Sequence, residues 1–88
     1  QIRISKIYPN PFNPTATIRF NIGVETQRAT SLRIFDITGG LVETLVNGEL
    51  VAGEHEIVWN ASGQSSGLYF AKLADGNKTA IQKLILLK

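Results

Sequence analysis

Apolar residues return at every second position along almost the whole of this chain, and short clusters of glycine, asparagine and serine separate one run from the next. In an extended segment a period of two sends alternate side chains to opposite faces, whereas a helix repeats every three to four residues. No segment carries the helical spacing, so the pattern predicts strands joined by turns. The expected strands are Ile2 to Tyr8, Ala16 to Ile22, Ser31 to Asp36, Leu41 to Val46, His55 to Trp59, Leu68 to Ala74 and Thr79 to Leu87. Seven short strands in 88 residues suit an all-β, Ig-like sandwich.

In the second strand Ala16, Ile18, Phe20 and Ile22 share one face while Thr17, Arg19 and Asn21 share the other, so one side meets a core and one meets water. The third is less regular, because Leu32 and Ile34 point opposite to Phe35 and Ile37. Either both faces are covered or a bulge switches the facing near Ile34. Thr38-Gly39-Gly40 suits a tight hairpin, and Asp75-Gly76-Asn77 suits another between the last two strands. Asn47-Gly48 is a further turn signal, but the chain runs on through Glu49 to Gly53, which predicts a longer excursion crossing between sheets.

All three prolines, Pro9, Pro11 and Pro14, fall between Tyr8 and Thr15. Each ring fixes its own φ and biases the preceding residue away from helix, so residues 8–15 form a stiff lead-in to a single domain over 1–88. Tyr8 and Phe12 are interleaved with the prolines, and rings of that size contribute most when docked. The lead-in is therefore expected to pack on the domain rather than serve as a linker.

At 43% hydrophobic residues and a net charge of +2, a chain of this length buries roughly 60–65% of its unfolded surface around one core. It has no cysteine, which removes disulfides and thiolate metal sites. Lysines and arginines are scattered singly between acids, so the cluster needed for nucleic acid is missing. No apolar stretch approaches the roughly 18–20 residues of a membrane span, and no signal peptide opens the sequence. A start at Gln1 reads as an excised or processed fragment, with any export leader upstream.

Pro9-Asn10-Pro11-Phe12-Asn13-Pro14 followed by Thr15-x-Thr17-Ile18-x-Phe20 resembles the opening of the type A C-terminal sorting domain of the bacterial type IX secretion system. Further segments similar to that family follow in order: Ile34-Phe35-Asp36-Ile37-Thr38-Gly39, then Ala52-Gly53-Glu54-His55-Glu56-Ile57-Val58-Trp59, then Ser66-Gly67-Leu68-Tyr69-Phe70, then Lys83 to Lys88. Two departures stand out. Gly40 occupies a position where the family usually has a basic residue, and the loop Asn60 to Ser66 lacks a longer acidic, glycine-rich insertion. The Ig-like domain of the flagellar hook-capping protein has much the same turn motifs. The resemblance implies a C-terminal address on a larger cargo protein, read by an outer-membrane shuttle and later removed or exchanged for a surface anchor by a sortase-like protease. It places the product in the medium or on the cell surface, by way of the periplasm and outer membrane.

Chemistry-bearing constellations are sparse. His55 is the only histidine, and Glu54 and Glu56 fall on the opposite strand face from it, so no base is paired with an orienting acid. The acids Glu25, Asp36, Glu43, Glu49, Glu54, Glu56 and Asp75 lack calcium-loop spacing, and zinc ligands are too few. A structural calcium on loop carbonyls stays open; otherwise no cofactor, no metal and no enzymatic activity are expected. Asn60-Ala61-Ser62 and Asn77-Lys78-Thr79 fit a glycosylation triplet and mark exposed loops. Trp59, Tyr69 and Phe70 suit either a sugar-binding platform or a packed core, and the core has first claim on seven aromatic residues.

The sharpest signal is terminal. Leu84, Ile85, Leu86 and Leu87 are apolar on both faces and bracketed by Lys83 and Lys88. One reading is a strand covered on both sides; the other is an edge strand offering apolar side chains and unpaired backbone to a partner, with lysines as gatekeepers. The expected recognition residues are Lys83 to Lys88 with the turns at Gly39 and Gly67, and the expected structural residues are Pro9, Pro11, Phe12, Pro14, Gly53, Trp59 and Tyr69. Rival readings are an accessory carbohydrate-binding or spacer module, and a self-assembling hook-cap-like domain. Open strand edges also allow weak homodimers.

Overall fold

The computed structural model describes residues 2–23, 29–76 and 78–88, so Glu25 and Asn77 lie outside the described residues. Its strands are β1 (Ile2–Tyr8), β2 (Thr15–Ile22), β3 (Thr30–Phe35), β4 (Leu41–Gly48), β5 (Gly53–Asn60), β6 (Gly67–Ala74) and β7 (Thr79–Leu86). They form a three-stranded sheet in the order β1-β2-β5 and a four-stranded sheet in the order β4-β3-β6-β7, with every pairing antiparallel. The architecture is the all-β sandwich of the sequence pattern. The connection over 49–52 carries the chain from the larger sheet to the smaller one, as the long excursion after Gly48 requires.

The core explains which residues had to alternate. From the smaller sheet Ala16, Ile18, Phe20, Ile22 and Trp59 point inward, and from the larger one Leu32, Ile34, Tyr69, Ala71, Leu73, Leu84 and Leu86 meet them; all are buried. Strand β1 breaks strict alternation at Ser5, where the register against β2 slips between Ile4 and Lys6. The slip matters because Ile2, Ile4 and Ile7 are spaced two and then three apart. Only an extra residue lets all three face the inward residues Ile22, Phe20 and Ile18.

The irregularity expected near Ile34 is present, but on the neighbouring strand. Pairing of β3 with β6 is unbroken, so Leu32 and Ile34 stay inward and Arg33 and Phe35 stay outward; of the two alternatives for this strand, the switch of facing does not occur. The register slips lie against β4, between Leu32 and Arg33 and again between Ile34 and Phe35, and they bring the unevenly spaced Val42, Leu45 and Val46 against the core. The turn signal at Asn47-Gly48 is overridden, since both residues lie in β4 opposite Ser31 and Thr30. Residues 36–40 do form the β3–β4 hairpin, with Asp36 N–H donating to Gly40 O at 2.9 Å.

The lead-in is docked. Phe12 is 2% exposed, and its ring lies 5.5 Å from that of Trp59, which in turn meets Tyr69 edge-on at 5.3 Å. The polar tips of this stack are satisfied at its rim: the Trp59 indole N–H donates to Glu43 Oε1 at 3.0 Å, and the Tyr69 hydroxyl donates to Ser65 O at 2.6 Å. The Tyr8–Pro9, Asn10–Pro11 and Asn13–Pro14 peptide bonds are cis. Between them, Asn10 and Phe12 reach the far end of the chain. The Asn10 side chain donates to Lys83 O at 3.1 Å and accepts from Ile85 N–H at 3.0 Å. Phe12 N–H donates to Ile85 O at 2.9 Å and Phe12 O accepts from Leu87 N–H at 3.0 Å, a parallel bridge centred on Leu86.

Asn10→Ala removes two of these bonds and is expected to lower stability by about 1–2 kcal/mol. The neighbouring exposed Asn13→Ala is expected to change it by less than about 0.5 kcal/mol. Chemical denaturation of both variants checks the difference.

Candidate functional site

Strand β7 pairs with β6 in unbroken register from Thr79 opposite Ala74 to Leu86 opposite Gly67. Alternation then decides the fate of the terminal apolar run. Leu84 and Leu86 are fully buried in the core, Ile85 is half-buried on the outer face across from Leu68, and Leu87, beyond the strand, is 56% exposed. Neither reading of the run holds whole. β7 is the last strand of its sheet, but its outer backbone edge is not free, because Lys83 O, both backbone groups of Ile85 and Leu87 N–H are taken by Asn10 and Phe12. The expectation of unpaired main chain along Lys83 to Lys88 is corrected accordingly. A row of free edge groups invites aggregation, and the lead-in covers this one.

Lys88 is also tied down. Its N–H donates to Ser66 Oγ at 2.9 Å and its ammonium donates to Ser62 O at 2.8 Å, fastening the end of the chain to the loop before β6. Of the expected recognition residues, the structure brings Gly67 beside Leu86 through the β6–β7 ladder, while Gly39 lies in the β3–β4 turn. The residue missed from sequence is Asn10. Its only signal was a polar amide among prolines, and nothing local tells that it completes a ladder with β7.

The two outer faces differ in kind. On the smaller sheet Arg19 Nε donates to Glu56 Oε2 at 3.0 Å, its Nη2 is ion-paired with the same oxygen at 2.8 Å, and its Nε lies 3.7 Å from Glu54 Oε2. Tyr8 adds a hydroxyl bond to Glu56, and Ser5 and Asn21 donate to Glu54. Each carboxylate therefore has donors around it. His55, on the other face of β5, stacks on Phe20 at 5.5 Å and has Nε2 2.7 Å from Val51 O, which is a packing role. Among the described residues no group of three or more histidines and acids could hold a metal ion, and no helix is long and apolar enough to cross a membrane.

Trp59 and Tyr69 lie in the interior, so they form no exposed sugar platform; Phe70 faces outward and is half-buried. Asn60, of the first glycosylation triplet, is exposed and caps Ser62 N–H at 3.0 Å.

The Asp36 carboxyl is displaced from its ordinary value. Asp36 accepts from the Thr38 hydroxyl at 2.7 Å, from Gly40 N–H at 2.9 Å and from Thr38 N–H at 3.0 Å. These donors, the Thr38 hydroxyl first, hold its carboxyl below the usual carboxylate range by favouring the charged form. Because the folded value is lowered, the contribution to stability is present above the unfolded pKa and fades as pH falls through the folded one. Thr38→Val is expected to move the Asp36 titration midpoint up toward the ordinary value, as read by carboxyl NMR; an unmoved midpoint would contradict this account of the turn.

No curated protein matches the chain. Among solved structures, it is similar to part of PorZ, an essential bacterial surface component of the type IX secretion system of Porphyromonas gingivalis, with 26% identity and a TM-score of 0.60. The similarity covers 94% of this chain and 11% of PorZ. The profile of the secretion-system C-terminal sorting domain matches residues 6–87, from the end of β1 through β7. A match of that extent takes in the lead-in, the aromatic stack and the terminal strand together, and the chain belongs to the secretion-system C-terminal sorting-domain family, whose members mark proteins for export to the cell surface or the medium.

Proposed function

We propose that this domain is the address by which the type IX translocon recognises a larger cargo protein, and that it carries out no catalysis of its own. The observation that carries the reading is the family match running through β7 to Leu87, supported by the likeness to a domain of a type IX surface component. An outer-membrane shuttle protein reads the end of the folded sandwich, and a sortase-like protease then removes the domain or exchanges it for an anchor. With Lys83 O, both backbone groups of Ile85 and Leu87 N–H occupied, recognition there falls to side chains. Lys83, Ile85, Leu87 and Lys88 supply them, and the turns at Gly39 and Gly67 shape the neighbouring surface.

Residues 1–88 fused behind a periplasmic reporter are expected to carry it to the surface or medium of a type IX-competent host. Removing Lys83 to Lys88 would abolish export but would also take Leu84 and Leu86 out of the core. Leu87→Ser with Lys88→Ser spares the core, and it is expected to reduce surface reporter several-fold in a domain that still melts cooperatively. Retention of the unaltered fusion in the periplasm would refute the sorting role; undiminished export of the double variant would refute terminal recognition.

A further inference from the structure

The outer face of the four-stranded sheet is built in the opposite way to that of its partner sheet. Phe35 on β3 lies beside Leu41 on β4 and Phe70 on β6, and Phe70 lies beside Lys83 on β7. The next row across is Arg33, Lys72 and Ile81, and a third pairs Leu68 with Ile85. Strands β3, β6 and β7 contain no acidic residue between Thr30 and Phe35, Gly67 and Ala74, or Thr79 and Leu86. The one acid of β4, Glu43, is turned to the Trp59 indole. Among the described residues none of Arg33, Lys72 and Lys83 forms an ion pair, and Lys72 rests its ammonium 6.0 Å from the centre of the Phe35 ring.

Beside these cations is an open cleft of about 460 Å³ lined by Phe35, Ile37, Gly39, Phe70, Lys72 and Ile81. Ile37 is 71% exposed and Ile81 61%, so a contiguous apolar surface faces solvent. Asp36 also borders the cleft, but its carboxylate is engaged by Thr38 and Gly40. Along β7 the lead-in reaches only as far as Lys83 O. The outer backbone groups of Ile81, on the same side as those of Ile85 by strand alternation, have no partner among the described residues, and Ile81 itself lines the cleft.

From this arrangement we infer that the outer face of the β4-β3-β6-β7 sheet docks an extended protein segment bearing aliphatic or aromatic side chains among carboxylates. Three features fit one such ligand: a cleft for an apolar side chain, unpaired cations beside it, and backbone groups at Ile81 that an extended strand can bond. A second copy of this chain is the wrong occupant, since face-to-face pairing would set three unpaired cations against three more. An anionic lipid surface would meet the cations but leave the Ile81 backbone unpaired. The segment's place in the export machinery rests on the sorting role proposed above; its chemistry rests on this face.

Two measurements separate the claims. The ¹⁵N-labelled chain is titrated with the synthetic peptide Glu-Ile-Glu-Phe-Asp-Ile-Glu, with its Lys-for-acid counterpart, and with anionic phosphatidylglycerol vesicles. The acidic peptide is expected to shift the amides of Phe35, Phe70, Lys72 and Ile81, and Lys72→Glu with Lys83→Glu to weaken it about tenfold. No shift at these amides, equal shifts with the basic peptide, or binding to vesicles alone overturns the inference whatever export shows. In the host assay, Ile81→Ser and the double charge reversal are expected to cut export of the fusion, whereas Val58→Ser, on the other sheet's outer face, leaves it unchanged. Normal export of folded face variants overturns docking of the export machinery here while leaving the sorting role standing. Failure of the unaltered fusion refutes the sorting role, and the titration then decides the face alone.

Discussion

Everything distinctive about this domain depends on the clamp between its beginning and its end. A terminal strand at the margin of a sheet has one row of backbone donors and acceptors with no strand to receive them. Here Asn10 and Phe12 receive four of them, across more than seventy residues of sequence. The same short segment places the Phe12 ring against Trp59, so one local structure both covers the C-terminal part of the β7 edge and fills the end of the core. The prolines serve this by restricting the backbone on either side, which lowers the entropy lost on docking.

With that part of the edge covered, the surface divides into regions of different character. The outer face of the smaller sheet consumes its own charge, with Arg19 shared between Glu54 and Glu56 and tyrosine, serine and asparagine filling the remaining acceptor sites. Such a face gains little from a partner, because any contact must first break bonds already made. The outer face of the larger sheet keeps apolar side chains and cations that form no ion pair among the described residues, and is the surface that a binding protein could desolvate with profit. A sorting signal has to survive as a folded object and still be read, and this division allows both.

Much of the fold was legible because burial on one face imposes a period of two. Ala16, Ile18, Phe20 and Ile22 announce their facing directly, and Trp59 and Tyr69 fall in the core as their scarcity suggests. Legibility fails where a ladder slips. Ile2, Ile4 and Ile7 can share a face only through the extra residue at Ser5, and Val42, Leu45 and Val46 only through two irregularities in β4. Asn47-Gly48 reads as a turn in isolation, but the pairing of β4 with β3 extends through it. At the candidate site the terminal run was visible and its backbone state was not. The polar groups that close it belong to Asn10 and Phe12, and a contact so distant in sequence leaves no periodic trace.

The clamp is tested most directly by hydrogen exchange at three amides of the last segment. Ile85 N–H is bonded to the Asn10 side chain and Leu87 N–H to Phe12 O, whereas Ile81 N–H points from the same edge with no acceptor among the described residues. The account predicts slow exchange at Ile85 and Leu87 and fast exchange at Ile81. Exchange at Ile85 and Leu87 as rapid as at Ile81 would mean that the lead-in does not hold the terminal strand, and would contradict it.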